Sequence, residues 1–143
     1  MIRKLAHLCL VTDQLEALKA FYTEKLNLKI QFVFTNADQQ TFGYYLACGD
    51  STFIEIFDRV LKQKQWGGPL DPLRGGNQMN HLCFEITGLK EFRQQLLDHG
   101  VKIGEIHQGM DHSLQAWASD PDGNAIEFME YTFASWQLQP PVA

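Results

Sequence analysis

The stretch HLCL at residues 7–10 returns as HLCF at residues 81–84, 74 positions later (81 − 7). The residues downstream of each copy decide whether the recurrence carries meaning. After the first, Thr12-Asp13 precedes apolar residues at Leu15, Leu18, Phe21, Tyr22 and Leu26, three or four apart. That spacing predicts a helix with Asp13 as its cap, Glu16 completing a capping box and Asn27 closing it in the left-handed region. After the second, Thr87-Gly88 precedes Leu89, Phe92, Leu96 and Leu97, and Gly100 ends that helix in the same way.

The matching continues. LKIQFVF, TFGYYLAC and STFIEIF in the first half correspond to VKIGEIH, SLQAWAS and NAIEFMEY in the second. The last two strands of each half are joined by a turn, CGDS and SDPDGN, and in the latter Gly123 takes the positive φ after Asp120-Pro121. Each half ends in Ile-Glu, 48 residues after its histidine in the first (55 − 7) and 46 in the second (127 − 81). The chain therefore reads as two βαβββ modules in one α+β domain. Module 1 spans 1–58 and module 2 spans 79–132, with a tail over 133–143. Residues 59–78, rich in Gly and Pro, read as a crossing loop.

Composition bounds the rest. With 143 residues the chain can bury about 68% of its unfolded surface as one domain. A net charge of −5 argues against a nucleic-acid surface, which would be basic. No apolar run reaches the ~18 residues of a membrane span, and the N-terminus lacks a signal-peptide pattern. The three cysteines, Cys9, Cys48 and Cys83, contain no CxxC, so neither a disulfide framework nor a zinc knuckle is expected. These features fit a reducing cytoplasm.

The duplication isolates four polar residues. Alternation puts Leu5, His7, Cys9 and Val11 on one face of the first strand, and Ala6, Leu8 and Leu10 on the other. Phe53, Glu55 and Phe57 share a face on the last strand of that half, and His81 with Cys83, and Glu127 with Met129, repeat the arrangement. A buried face is expected there, and an unpaired buried carboxylate is costly. A divalent cation would engage both carboxylates and both imidazoles, leaving room for exchangeable ligands. Two His–Glu hydrogen-bonded pairs without metal are the alternative.

The segments AHLCLVTDQLEALKAFYTEKLNLKI and SDPDGNAIEFMEYT resemble the vicinal oxygen chelate superfamily, and within it the glyoxalase I (lactoylglutathione lyase) group. FYTEKLNLK is similar to the end of that family's first helix, and DPDGNAIEF is its most recognisable motif. The resemblance implies curved mixed sheets around a metal-binding cavity, with His7, Glu55, His81 and Glu127 as ligands. It implies one divalent ion per site, Ni2+ or Zn2+ first and Co2+, Mn2+ or Fe2+ as alternatives. It also implies a homodimer and a small-molecule substrate with adjacent oxygens, isomerised through an enediolate with Glu127 as the base.

Relatives with two His and one Glu, such as extradiol dioxygenases, lack the carboxylate at the Glu55 position, so the full set favours the glyoxalase I group. Another metal-dependent class (epimerase, dioxygenase or thiol transferase) or a non-catalytic binding protein is the alternative. Val11 stands where the bacterial group has an arginine contacting glutathione, and GMDHSLQAWAS replaces a Gly-rich stretch. Both speak against glutathione as co-substrate. His112, Gln115, Trp117 and Arg59 are the candidate substrate contacts. Lys62, Lys64 and Arg74 are expected to be solvated charges, His99 and His107 surface residues, and Cys9 and Cys83 small core residues.

Overall fold

The computed structural model describes residues 7–68, 70 and 81–139, and divides into two compact units, Met1–Arg74 and Gly75–Ala143. The first contains β1 (His7–Thr12), α1 (Leu15–Ala20), β2 (Lys29–Thr35), β3 (Thr41–Ala47), β4 (Phe53–Asp58) and α2 (Arg59–Trp66). Its four-stranded sheet has the order β1-β4-β3-β2, parallel only between β1 and β4. The helix α1 lies against β3 and β4 and buries Leu15 and Leu18, and a π-helical turn over Phe21–Lys25 adds Phe21 and Tyr22. On the sheet, Leu10, Leu46, Ile54 and Ile56 are buried, the alternating positions expected of a face covered by a helix.

The second unit repeats this with β5 (Leu82–Glu85), α3 (Leu89–Asp98), β6 (His107–Gln108), β7 (Leu114–Ser119) and β8 (Ala125–Glu130). The order is β5-β8-β7-β6, again with one parallel pair, β5 and β8. Two βαβββ modules are therefore present, and the architecture is α+β. Leu89 and Leu96 of α3 are buried, as are Ala116, Ala118, Ile126 and Phe128 of the sheet it covers. The α3 N-terminus has no local side-chain cap; Glu130 instead accepts the Gly88 and Leu89 N–H groups, at 2.7 and 3.0 Å. A carboxylate there satisfies orphan donors and complements the helix dipole.

The turn geometry expected from sequence holds: Asn27, Gly100 and Gly123 have φ of 58°, 76° and 83°. Around Gly123 the buried Asp120 carboxylate accepts the Asp122 and Asn124 N–H groups and the Asn124 side-chain amide, at 3.0, 2.9 and 2.8 Å. The DPDGN turn is thus knotted by its own first residue.

Several expectations are corrected. Asp13 does not cap α1; Gln14 occupies the cap position, and Asp13 binds Arg59 through two bonds of 2.7 and 2.9 Å. Glu16 accepts the Tyr44 hydroxyl at 2.7 Å, which lowers the Glu16 pKa; desolvation, then Glu16, raises that of Tyr44. Both carboxylates find cationic or hydroxyl partners from distant strands and helices, so the capping box does not form. Residues 59–66 are a helix and not a loop, because Asp58 caps α2 by accepting the Leu61 N–H at 2.8 Å. The remainder of the connection from Asp71, including Arg74, lies outside the described residues, as do Leu5 and Ala6.

The VKIGEIH strand shrinks to His107–Gln108 and an isolated bridge between Ile103 and Ala118. Between them the Gly104 N–H still donates to the Trp117 carbonyl at 2.8 Å, but its own carbonyl accepts from Arg93 Nε at 2.7 Å, so the ladder does not continue. Leu97, expected on the apolar stripe of α3, is 38% exposed. Among the described residues no helix is long and apolar enough to cross a membrane.

Candidate metal centre

The face of each sheet opposite its helix carries two of the four residues. In the first unit, register aligns Cys9, Glu55, Tyr45 and Phe32 in one row across β1, β4, β3 and β2. Directly paired residues share a face, so these side chains emerge together. His7, further along β1 on that face, brings its Nε2 to 3.5 Å from Glu55 Oε2, and its Nδ1 lies 3.3 Å from the Tyr45 hydroxyl.

In the second unit the row is Cys83, Glu127 and Trp117. His81, just before β5, places Nε2 3.2 Å from Glu127 Oε2 and its ring edge-on to Trp117, 4.9 Å between centroids. The modules therefore agree in side chains as well as backbone: a histidine, a cysteine two residues on, a glutamate and an aromatic ring. Sequence reading missed Tyr45. Its signal was available, since Tyr45 and Trp117 each precede their glutamate by ten residues (55 − 45 and 127 − 117).

The expected buried face is buried at its carboxylate end and exposed at its imidazoles. The His7 and His81 side chains are 44% and 33% exposed, against 18% and 6% for Glu55 and Glu127. The carboxylates sit deeper than the imidazoles. Cys9 and Cys83 are exposed and not core residues. Desolvation, then the adjacent Glu55, pushes the Cys9 thiol up to about 11; desolvation, then Glu127, pushes Cys83 up to about 12. Both are held as neutral thiols, which are poor nucleophiles.

The donor set of each pair suits a borderline divalent cation, imidazole nitrogen with carboxylate oxygen. Two donors about 2.1 Å from one cation, roughly 90–110° apart, lie about 3.0–3.4 Å from each other. The observed 3.2 and 3.5 Å are close to that spacing and longer than the ~2.8 Å of a tight charge-assisted hydrogen bond. Among the described residues no group of three or more His, Cys, Asp or Glu is placed to hold a metal ion; what each unit brings together is one His–Glu pair.

The candidate substrate contacts divide. Trp117 stands beside the His81–Glu127 pair, and Gln115 shares its face of β7, paired with Met129. Gln115 lies 3.3 Å from Ser113 Oγ in a cluster with Asp111, which also accepts from the Gln137 amide. His112 does not start a strand; it occupies the turn before β7 with φ of 65° and packs edge-on against Trp136, 5.6 Å between centroids. Arg59 is held by Asp13 at the end of β4. His99 and His107 are exposed, as expected.

The profile of the Glyoxalase/Bleomycin resistance protein/Dioxygenase superfamily matches residues 4–128. No curated protein matches the sequence with significance. Among solved structures, a lactoylglutathione lyase of Agrobacterium tumefaciens is 21% identical with a TM-score of 0.65, over 89% of this chain and 92% of that one. A putative glyoxalase family protein of Bacillus anthracis is 23% identical with a TM-score of 0.70, over 92% and 98%. A glyoxalase family protein of Enterococcus faecalis is 22% identical with a TM-score of 0.67, over 90% and 98%. These likenesses extend over nearly the full length and establish the fold. Profile, repeat and topology agree: the chain belongs to the glyoxalase/bleomycin resistance protein/dioxygenase superfamily.

Proposed function

We propose that the protein is a divalent-metal-dependent isomerase or lyase of glyoxalase I type. Its substrate class is a small molecule with two adjacent oxygens, such as a hemithioacetal. The observation that carries this is the pair of His–Glu couples, His7–Glu55 and His81–Glu127, at matching positions on the face of each sheet opposite its helix. The four side chains together would hold one cation, Ni2+ or Zn2+ before Co2+, Mn2+ or Fe2+, either within one chain or between two. When bound, such a cation supplies Lewis-acid polarisation of the adjacent oxygens.

The chain's own residues do the rest. Glu127, the most buried of the four, takes the proton from the carbon beside the carbonyl and returns it to the neighbouring carbon. Its 6% exposure keeps water from competing for the basic oxygen. Trp117 and Gln115, on the same face, border the substrate.

Metal analysis of the purified protein tests the reading. One equivalent per expected site should be found, and Glu55→Gln or His81→Ala should lower it sharply, since each removes a charge or a nitrogen donor. Unchanged content in both variants would sink the assignment. Turnover of methylglyoxal with a panel of thiols then separates an enzyme from a sequestering protein of the same fold.

The protein is also proposed to be a homodimer. The edge strand β2 exposes Ile30, Phe32 and Val33 at 44%, 45% and 43%, and an apolar edge of this kind needs covering. Light scattering should report twice the chain mass, and a monomer at micromolar concentration would rule the dimer out.

A further inference from the structure

The Tyr45 hydroxyl lies on His7 Nδ1 at 3.3 Å, while Nε2 of the same ring faces Glu55. The phenol is itself clamped: Phe32 stacks on it at 4.5 Å and 14°, and Phe53 packs against it at 4.8 Å. We propose that Tyr45 is the positioning residue for His7, holding the imidazole with Nε2 turned to Glu55 both with and without a bound cation. The cation-bound part of this rests on the function proposed for the four-residue set.

The chemistry of the two rings favours this. A neutral imidazole carries one proton, on either nitrogen. Without a cation the proton sits on Nε2, donates toward the Glu55 carboxylate, and leaves Nδ1 as an acceptor; the Tyr45 O–H then donates to Nδ1. When Nε2 offers its lone pair to a cation, the proton must be on Nδ1, and Nδ1–H donates to the Tyr45 oxygen. A hydroxyl is both donor and acceptor, so it serves both tautomers without moving. An ammonium group or a carbonyl would serve only one.

The second unit makes the contrast. Trp117 occupies the position equivalent to Tyr45, but indole has a donor and no acceptor, and its contact with His81 is ring against ring at 75°. Trp117 therefore walls the imidazole without being able to accept from Nδ1–H.

The test uses the full chain with 15N-labelled histidine, stripped of metal, at about pH 8, where imidazole is neutral. His7 is assigned by its loss in His7→Gln. In the wild type the nitrogen spectra should show the Nε2–H tautomer, and the proton should move to Nδ1 when Zn2+ is added. Tyr45→Phe keeps the ring and its stacking but removes the hydroxyl. It should give mixed His7 tautomers without metal, and a Zn2+ affinity lower by about 10–100-fold in chelator competition. A Tyr45→Phe protein whose metal-free His7 signals match the wild type overturns the proposal, since packing alone would then orient the ring. A wild type that takes up no Zn2+ removes the proposed metal function instead, and the metal-free comparison still decides Tyr45.

Discussion

Glu127→Gln is expected to keep part of its metal yet lose proton exchange by about 10²–10⁴-fold, the usual share of a positioned base. Glutamine keeps an oxygen donor of the same size and removes the basic group. The readout is hydrogen–deuterium exchange at the substrate carbon, using the hemithioacetal of methylglyoxal and comparing proteins at equal metal occupancy. Glu55→Gln should lose less. The two carboxylates are equivalent in register, each between a cysteine and an aromatic residue, but they differ in burial, 18% for Glu55 and 6% for Glu127. The deeper one is better shielded from water. Greater damage from Glu55→Gln at equal occupancy would mean that the two halves have exchanged roles.

Gly43→Ala should destabilise the first unit by about 1–3 kcal/mol, the range for overpacking a filled site. A methyl at Gly43 would collide with the Phe57 ring and come within 2.9 Å of the Ile56 carbonyl oxygen. The ring cannot swing away freely. It is 3% exposed and packed against Phe34 and Trp66, at 4.8 and 5.2 Å between centroids. The carbonyl belongs to β4, so relief there shifts the strand that carries Glu55. Thermal melting should fall by about 4–12 °C for a domain of this size, and Phe57→Leu in the same chain should recover part of the loss by making room. Melting of Gly43→Ala together with the wild type would show that the sheet accommodates the methyl.

Much of this architecture was legible because its signals are local. The stripe Leu15, Leu18, Phe21 and Tyr22 needs only the helical period, and all four are buried. Asn27, Gly100 and Gly123 announce their left-handed turns by residue type alone. The repeat then multiplied weak signals: a histidine on a strand means little, whereas His7 with Glu55 and His81 with Glu127 at matching positions mean more. The missed elements have equally physical causes. Asp58 caps α2 in a segment whose Gly and Pro content, further along, reads as loop. Asp13 had the composition of a helix cap, but an arginine 46 residues away offers it two charge-assisted bonds.

By itself, then, the sequence determined the two βαβββ modules, the succession of elements in each half and the four residues brought into pairs. Periodicity, turn chemistry and duplication are all written along the chain. Only the tertiary structure decided which face of each sheet the helix covers, and that the glutamates sit deeper than the histidines. Alternation assigns residues to two faces without saying which one is buried. The tertiary structure alone also brought Tyr45 to His7 across 38 residues, because such a contact depends on the register of three strands, and register is set by packing between them.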